Sequence, residues 1–590
     1  MVMDRLFKNL FHRAAPSVVP MLMGGAILVA TTAPAWSQVT TGLLDQDVEQ
    51  STSEIGLSEP WWEPQVGQAI SRSSQSRPIT LDQLLVTALQ HSNQIKVFSD
   101  IPLIRETAIL ESQGRFDWHA FAESSIESAN HPVGSSLDTG LPGVDRLVQD
   151  EWNSSVGLRK QTTTGGTVEL RQRVGTLDNN SRFLVPRNQG NSRISLNFTQ
   201  PLLNGAGRPY NTSLIMLSEI DANIGQDEFA RQLQSHLLEI SRAYWTLHLE
   251  RALLLQKQNL YRQGLLVQKS LKAREDLDVV RSQTVLVDAA IAERKSDLIR
   301  AAAAVRNSEA RIRALVNDPS MTEVGIEFIP LDIPTQDYFS FDLADVQTTA
   351  IAQRPEIQQN IKQIHAAGIR LNMSKNELLP QLNALFGIYA EGLQGEFDIS
   401  NALADQYTNG RPSATAGLQF DIPIGNRQAR GRYNRREIEL RQMQNQLATT
   451  MATLSLEAEV AVREVETSYA EMTLRHQSMN SAVERVQSIE SRWEILPGED
   501  QSGPLFLNTL LDAQSKATKA ESDFASSKLT YSLALMNLKK AMGTLLKHEM
   551  ISELRTHDGV IPQIILDKQS RDIQAEEVQP LEVEPETVQE

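Results

Sequence analysis

The residue types that most often carry out chemistry are scattered or missing in this sequence. Its ten histidines form no HExxH motif and no close pair of ligands, so the sequence predicts no metal site. It has no cysteine, which excludes disulfides, thiolate ligands and cysteine nucleophiles. The segment GAGRP, which contains Gly205 and Gly207, lacks the GxxxxGK[ST] pattern of a phosphate-binding loop, and no GxSxG motif occurs. We therefore predict a protein that is not an enzyme and has no cofactor.

The charged side chains give only weak indications of a function. The 590 residues carry a net charge of −17, which argues against nucleic-acid binding. Asp278 and Asp512 lie near the starts of predicted helices, where a capping role would contribute about 0.5–2 kcal/mol. Five arginines cluster after Pro423 and would either contact lipid headgroups or begin a solvated helix: Arg427, Arg430, Arg432, Arg435 and Arg436.

The two ends of the chain differ in composition from the rest. Three basic residues precede the apolar run VVPMLMGGAILVATTA, and small residues follow at Ala33, Ala35 and Ser37, so residues 1–37 are predicted to be a secretory signal peptide. The alternative, a membrane anchor, is disfavoured because the run falls short of the ~20 residues that a spanning helix needs. Residues 38–77 are predicted to be a flexible leader, and residues 549–590 an acidic disordered tail.

The chain between these ends repeats one plan. ITLDQLLVTALQHSNQIKVF from Ile79 aligns with FDLADVQTTAIAQRPEIQQNI from Phe341, which matches Leu81 with Leu343 and Ala88 with Ala350. The predicted repeats are residues 78–320 and 341–548, with a linker over 321–340. Each reads as helix, strands, proline-marked turn, long helix and returning helix.

The long helices are predicted over 211–273 and 433–493, each about 90 Å long. The returning helices are predicted over 278–316 and 506–546. Both returning helices are rich in alanine, which favours close pairing as coiled coils. We interpret these helices as structural walls.

Short segments of alternating polarity separate the helices. They cover 118–127, 193–200, 382–391 and 414–422, and alternation of this kind suits a soluble sheet or a membrane barrel. Since no other domain is left to cover the apolar faces, a bilayer is the expected cover, and strands in a bilayer must form a closed barrel. Four strands in one chain are too few, so we expect an oligomer. Two more candidates, 152–160 and 167–174, read equally as an extracellular hairpin or as further barrel strands.

These features resemble the TolC-type outer-membrane efflux protein family over about residues 78–548. The resemblance lies in the doubled order of LPQL from Leu379, TQPLLNGAGRP, FDIPIGNRQARGR, SRAYWTL and LLDAQ from Leu510. It implies a mainly α fold in which a trimeric 12-stranded membrane β-barrel continues into a coiled-coil tunnel of 12 helices across the periplasm. It also implies a periplasmic adaptor (a membrane fusion protein) and an inner-membrane pump or ABC transporter as partners.

The resemblance also assigns roles to single residues. Pro201 and Pro423 would end strand pairing where strands become helices, because proline has no N–H, and Gly205, Gly207 and Gly425 would permit the bend. By the same resemblance, Asp512 matches a carboxylate that constricts the periplasmic entrance, and Asp278 matches the family's inter-coil carboxylate in the first repeat. Together with Thr509 they are the candidate gate residues. Thr509 stands where a second acid is expected, and Leu505 where some members carry a gating arginine.

The function predicted from these observations is a passive outer-membrane export channel for efflux or type I secretion, located in the cell outer membrane and extending into the periplasm. The alternative is a soluble periplasmic coiled-coil adaptor or scaffold, which would keep the helical hairpins but need no lipid-facing strands.

Overall fold

The computed structural model describes residues 60–70, 75–135, 139–140, 143, 145–274, 281–321, 323, 325–409, 411–495, 503–548, 551–553 and 564–566. All of them belong to one unit, Glu59–Glu590. The predicted signal peptide, residues 38–59 of the leader and the candidate gate residue Asp278 lie outside the described residues.

Helices make up most of this unit. They are α1 (Glu63–Val66), α2 (Leu81–His91), α3 (Asn93–Gln113), α4 (Arg208–Asn211), α5 (Ser213–Ala273), α6 (Arg281–Val316), α7 (Leu343–Gln353), α8 (Pro355–Asn376), α9 (Ile399–Thr408), α10 (Arg427–Ile495), α11 (Gly503–Ala541) and α12 (Leu545–His548). The strands are β1 (Ser76–Ile79), β2 (Trp118–Pro132), β3 (Arg146–Gln161), β4 (Thr167–Asn179), β5 (Gln189–Pro201), β6 (Glu327–Pro330), β7 (Gln381–Gln394), β8 (Ser413–Asp421), β9 (Ile551–Glu553) and β10 (Ile564–Leu566). None of the described helices has both the length and the apolar content required to cross a bilayer.

The same order of elements occurs twice. Two short helices, strands, a long helix and a returning helix follow one another from α2 to α6 and again from α7 to α11. Leu81 and Leu343 are the first residues of α2 and α7, where Thr80 and Asp342 cap the helices with their side chains. The two halves differ in their strands, since the first has four and the second has two, and in the short helices α4 and α9, each of which occurs in one half.

The long helices α5 and α10 contain 61 and 69 residues, so they are about 90 and 100 Å long. They form because their sequences are rich in Ala, Leu, Gln and Glu and lack proline. Each packs along its own returning helix, α5 on α6 and α10 on α11. Gly225 of α5 has a packing role, since a Cβ there would lie 2.9 Å from the side chain of Arg105 on α3.

The core lies where the helices of the first half meet the two short parallel strands, β1 and β6. Leu237, Ile240, Tyr244 and Leu247 of α5 are buried there, as their helical spacing predicts. The Tyr244 hydroxyl donates a hydrogen bond to Asp332 (2.8 Å), and burial raises the pKa of this tyrosine. The inter-repeat linker is thereby fixed to the first long helix.

The leader is not flexible throughout, and this prediction is wrong for residues 60–70. Trp62 and Val66 are buried, and the buried Arg251 of α5 donates hydrogen bonds to the backbone carbonyls of Val66 (3.1 Å) and Gln68 (2.6 Å). Glu63 forms a buried ion pair with Lys528 of α11. Aromatic and aliphatic burial together with these bonds offsets the entropy of ordering the segment.

The tail predicted to be disordered contains two short strands among its described residues. Residues 551–553 of β9 pair antiparallel with residues 564–566 of β10. The segment Ile564–Leu566 is wholly β-branched and aliphatic in its first two residues, which favours a strand.

Six strands form one antiparallel sheet in the order β2-β3-β4-β5-β7-β8. The expectation of four strands per chain is therefore wrong. The two undecided segments are the strands β3 and β4, which insert between β2 and β5. Periodicity could not establish this, because a hairpin outside the sheet would show the same alternation.

The sheet has one apolar and one polar face. Directly opposed residues of antiparallel strands point to the same side, so the register assigns each side chain to a face. The apolar face carries Trp118, Ala120, Ala122, Ile126, Trp152, Val156, Leu158, Val168, Leu170, Val174, Ile194, Leu196, Phe198, Ala384, Phe386, Ile388, Ala390, Ala414, Ala416, Leu418 and Phe420. The polar face carries Glu123, Glu151, Asn153, Arg159, Glu169, Arg171, Arg173, Arg193, Asn197, Glu391, Thr415 and Gln419, with Phe121 and Tyr389 among them.

Helix α9 covers part of the apolar face, at the ends of β5 and β7 far from the long helices. Gln406 of α9 accepts hydrogen bonds from Ser192 (2.7 Å) and Gln172 (3.2 Å). A Cβ at Gly392 would lie 2.0 Å from the carbonyl oxygen of Ala402, so only glycine allows this contact. The uncovered apolar belt lies between α9 and the strand-to-helix turns.

Candidate functional site

The two turns that join the sheet to the long helices each contain proline and glycine. Backbone pairing continues one residue past Pro201, where the N–H of Leu202 donates to the carbonyl of Leu382 (2.7 Å). Pro201 is the last residue of β5, and Pro423 follows β8 by two residues. Gly205, Gly207 and Gly425 have φ values of +78°, +92° and +89°, a left-handed conformation that side chains disfavour. Each turn redirects the chain from a strand into a helix within a few residues.

Three asparagines, which sequence reasoning missed, hold both turns to one segment between α8 and β7. The Asn376 side chain accepts a hydrogen bond from a backbone N–H of the first turn (2.7 Å). Asn204 of the first turn donates to the carbonyl of Leu379 (3.2 Å), and Asn426 of the second donates to the carbonyl of Leu378 (3.1 Å). The segment runs into the LPQL motif, which begins at Leu379. The one feature of the sequence that could have indicated these contacts is the asparagine in each turn.

The tip of the β3–β4 hairpin joins the same layer. The carbonyl of Thr164 accepts hydrogen bonds from the backbone N–H of Gly207 and from the side chain of Gln200, both at 3.1 Å. A Cβ on Gly165 would lie 2.4 Å from the carbonyl oxygen of Gly205. The hairpin is therefore fixed to the first strand-to-helix turn.

Ion pairs cross the polar face of the sheet. Arg171 contacts Glu123 (3.2 Å) and Glu169 (3.0 Å), and its guanidinium lies 4.8 Å from the centre of the Phe121 ring. Arg193 pairs with Glu391 at 2.9 Å. Since arginines and carboxylates of five strands lie on this face, it suits water rather than hydrocarbon.

The described candidate gate residues lie inside a helix rather than at its end. Asp512 is the tenth residue of α11 and pairs with Lys516 at 2.8 Å, so it does not cap that helix. The Thr509 hydroxyl donates to the carbonyl of Leu505, one turn earlier, at 2.8 Å. Asp512 is exposed, as is Leu505, so both are available at the surface of this helix.

A buried arginine near these residues joins the two helical hairpins, and the sequence analysis did not find it. Arg294 of α6 donates to the carbonyls of Leu260 on α5 (3.0 Å) and Leu511 on α11 (3.3 Å), and to the Gln514 side chain (3.1 Å). Gln514 in turn donates to Glu490 of α10 at 3.0 Å. Burial lowers the pKa of Arg294 to about 10. The two long helices and the two returning helices therefore meet in one polar network.

Three of the five clustered arginines have acidic partners. Arg432 pairs with Glu377 (2.9 Å), while Arg436 and Arg435 both contact Glu439, at 2.6 and 3.7 Å. The arginine side chains of these pairs are about one-third exposed or more, as expected for the solvated start of a helix.

Among the residues that the structure describes, no group of three or more His, Asp or Glu side chains is placed to hold a metal ion.

The sequence matches no family model and no curated protein. Solved structures do match the fold. The CmeC outer-membrane channel of Campylobacter jejuni is 13% identical, with a TM-score of 0.56, and the match covers 84% of this chain and 97% of that one. The outer-membrane protein VceC of Vibrio cholerae is 14% identical, with a TM-score of 0.55, over 78% of this chain and 96% of that one.

The MtrE outer-membrane channel of Neisseria gonorrhoeae, solved in its open state, is 14% identical and gives a TM-score of 0.52 over 79% of this chain and 89% of that one. This chain therefore has the fold of these outer-membrane proteins. The resemblance predicted from the sequence motifs is confirmed at the level of the fold.

Proposed function

We propose that the protein is the outer-membrane exit channel of a tripartite efflux pump or a type I secretion system, a homotrimer that extends from the outer membrane into the periplasm. The observation that supports this best is the six-stranded sheet, whose apolar belt suits lipid and whose opposite face is charged. A sheet of this kind must close on itself in a bilayer, because unpaired edge groups in hydrocarbon cost several kcal/mol each.

The helices also carry surface suited to further copies of the chain. On α10, four exposed apolar residues are spaced by 18, 4 and 14 positions, which places them on one side of the helix: Ile438, Leu456, Val460 and Leu474. Neighbouring residues of this stripe are up to 18 positions, or about 27 Å, apart along the helix. The stripe marks the side of α10 on which a further copy would pack. Three copies are what the family resemblance implies.

The channel is proposed to be passive. Energy for export would come from an inner-membrane pump or ABC transporter, reached through a periplasmic adaptor that contacts the helix tips. Asp512, Thr509 and Asp278 are proposed to line the entrance at these tips. The proposed channel has no catalytic role, no cofactor and no nucleic-acid partner.

The test is recovery of the full-length protein from fractionated membranes, followed by conductance measurements in a planar bilayer. We expect it in the outer-membrane fraction as a trimer that forms water-filled channels, with heat-dependent migration in electrophoresis. A water-soluble protein recovered from the periplasm, without channel activity, would instead favour the soluble adaptor. A matched control expresses the chain without residues 1–37, which should leave it in the cytoplasm.

A further inference from the structure

The β3–β4 hairpin extends over the full height of the sheet. Near the long helices, Gln161 pairs with Thr167, and Thr167 pairs with Thr199, two residues before the end of β5. At the other end the pairing continues to Gln149 and Asn179. The hairpin is therefore not confined to one side of the apolar belt.

The hairpin has both surfaces that a membrane wall requires. Val156 and Leu170 lie on the apolar face and are half exposed, and the register places them level with Ile194 and Leu196 of β5, respectively. Its other face carries charged residues, including Arg171 in its ion pairs. Alternation of this kind along each strand is what separates lipid from a water-filled lumen.

The height of the belt fits a bilayer. From Leu382 to Ala390, β7 crosses the belt in nine residues, about 30 Å along the strand. Tilted by about 40°, such a strand covers roughly 23 Å, close to the ~25 Å apolar band of outer-membrane barrels.

The two open edges of the sheet are suited to pair with each other across copies. Within the described residues, β2 and β8 each have one neighbouring strand. β2 runs away from the helices and β8 runs towards them, so β8 of one copy and β2 of the next would pair antiparallel, like every other pair in the sheet.

The same interface continues into the helices. Residues 422–426 connect β8 to α10, which carries the exposed stripe, and residues 114–117 connect β2 to α3, where Val97 and Ile104 are exposed seven positions apart. One neighbouring copy could thus cover a strand edge and a helix face together.

We propose that β3 and β4 are wall strands, so that each subunit contributes six strands and the trimer closes an 18-stranded barrel instead of a 12-stranded one, with β8 of each subunit paired to β2 of the next. The proposal rests on the proposed channel function. Because barrel diameter grows roughly linearly with strand number, the lumen is about 1.5 times wider than that of a 12-stranded barrel.

The decisive experiment is cryo-electron microscopy of the full-length protein in lipid nanodiscs, with the strands counted in cross-section. We expect 18 strands around one pore. A trimer with 12 wall strands, with the hairpin outside the wall, would overturn this inference and leave the channel function intact. A protein that forms no membrane trimer would overturn the channel function itself.

Spin labels on single cysteines test the hairpin separately, since the native chain has no cysteine. A label at Val156→Cys should be more accessible to oxygen than to a water-soluble nickel chelate, as should the control Leu196→Cys on β5. A label at Arg171→Cys should show the reverse preference. Water exposure at Val156→Cys together with lipid exposure at Leu196→Cys would contradict a wall position for the hairpin.

Disulfide trapping tests the paired edges. Thr415→Cys on β8 is combined in turn with Glu123→Cys, Ser125→Cys or Glu127→Cys on β2, all on the polar face. We expect one combination to give cross-linked trimers on oxidation. Thr415→Cys with Arg171→Cys, three strands apart in the closed wall, is the matched control and should not cross-link. Failure of every β2 position in an intact trimer would reject the edge assignment.

Discussion

Arg294 donates a hydrogen bond to the side chain of Gln514 at 3.1 Å, and this contact joins the first helical hairpin to the second. The other hydrogen bonds of its guanidinium go to the backbone carbonyls of Leu260 and Leu511, so the acceptors in these contacts are carbonyl and amide oxygens. A buried cation held in this way fixes the relative position of α6 and α11 only while its hydrogen bonds persist.

We expect Arg294→Met to loosen the contact between the two hairpins. Hydrogen bonds to charged groups contribute about 1.5–3 kcal/mol each. Their loss is partly offset because the variant no longer buries a charge. The expected net decrease in the free energy of unfolding is therefore about 1–3 kcal/mol. Chemical denaturation measures this loss, and bilayer recordings should show a larger single-channel conductance. Lys295→Met, at the exposed neighbouring position, is the control, and equal effects of the two variants would contradict the role of Arg294.

Asp512→Ala should change permeation more than stability. The Asp512–Lys516 pair is exposed and lies within one helix, so its loss should cost no more than about 0.5 kcal/mol. If Asp512 lines the entrance, the variant should conduct more and favour cations less. Lys516→Ala removes the same pair and serves as control. Unchanged conductance and selectivity in Asp512→Ala would reject an entrance position.

Gly425→Ala should destabilise the second strand-to-helix turn through the backbone alone. Gly425 has φ +89° and open space around its missing Cβ, so the expected cost is the strain of a left-handed alanine, about 1–2 kcal/mol. Gly431→Ala, also in open space but inside α10, should stabilise by about 1 kcal/mol. Chemical denaturation should show a lower free energy of unfolding for Gly425→Ala and a higher one for Gly431→Ala. A lower free energy of unfolding in both variants would point to packing instead.

His248 should make the protein less stable as pH falls. It is buried on α5, and burial, together with Lys528 and Arg251, lowers its pKa to about 4 from 6.5. Glu63, paired with Lys528, and the Trp245 ring lie in the same region. The unfolded chain binds a proton near pH 6.5 and the folded chain does not, so stability is lost from about pH 6.5 down to 4, by about 3 kcal/mol in total.

His248→Gln should remove most of this loss. The measurement is the difference in unfolding free energy between pH 7 and pH 4, compared with the exposed His365→Gln as control. An identical pH dependence in the native protein and His248→Gln would show that other groups control acid sensitivity.

The sequence by itself determined the elements that follow from local pattern. Helical spacing predicted the long helices to within a few residues at most ends. The exception is α10, which begins at Arg427, six residues before the predicted Tyr433, so the charged segment after Pro423 belongs to the helix. Alternation located a segment of each of the six strands of the sheet, although it left the segments in β3 and β4 undecided between wall strands and an extracellular hairpin. The special glycines could be located because only glycine adopts their backbone conformation without strain.

Only the tertiary structure decided which of these elements meet. Alternation is the same for a strand in the sheet and for a hairpin beside it, so the place of β3 and β4 depended on their pairing with β2 and β5. The docking of residues 60–70 and the contact of Arg294 with Gln514 were also invisible in sequence, because the contacting residues lie more than 180 positions apart. Local pattern fixes the type of an element and the face it presents, whereas long-range contacts select the partner that covers this face.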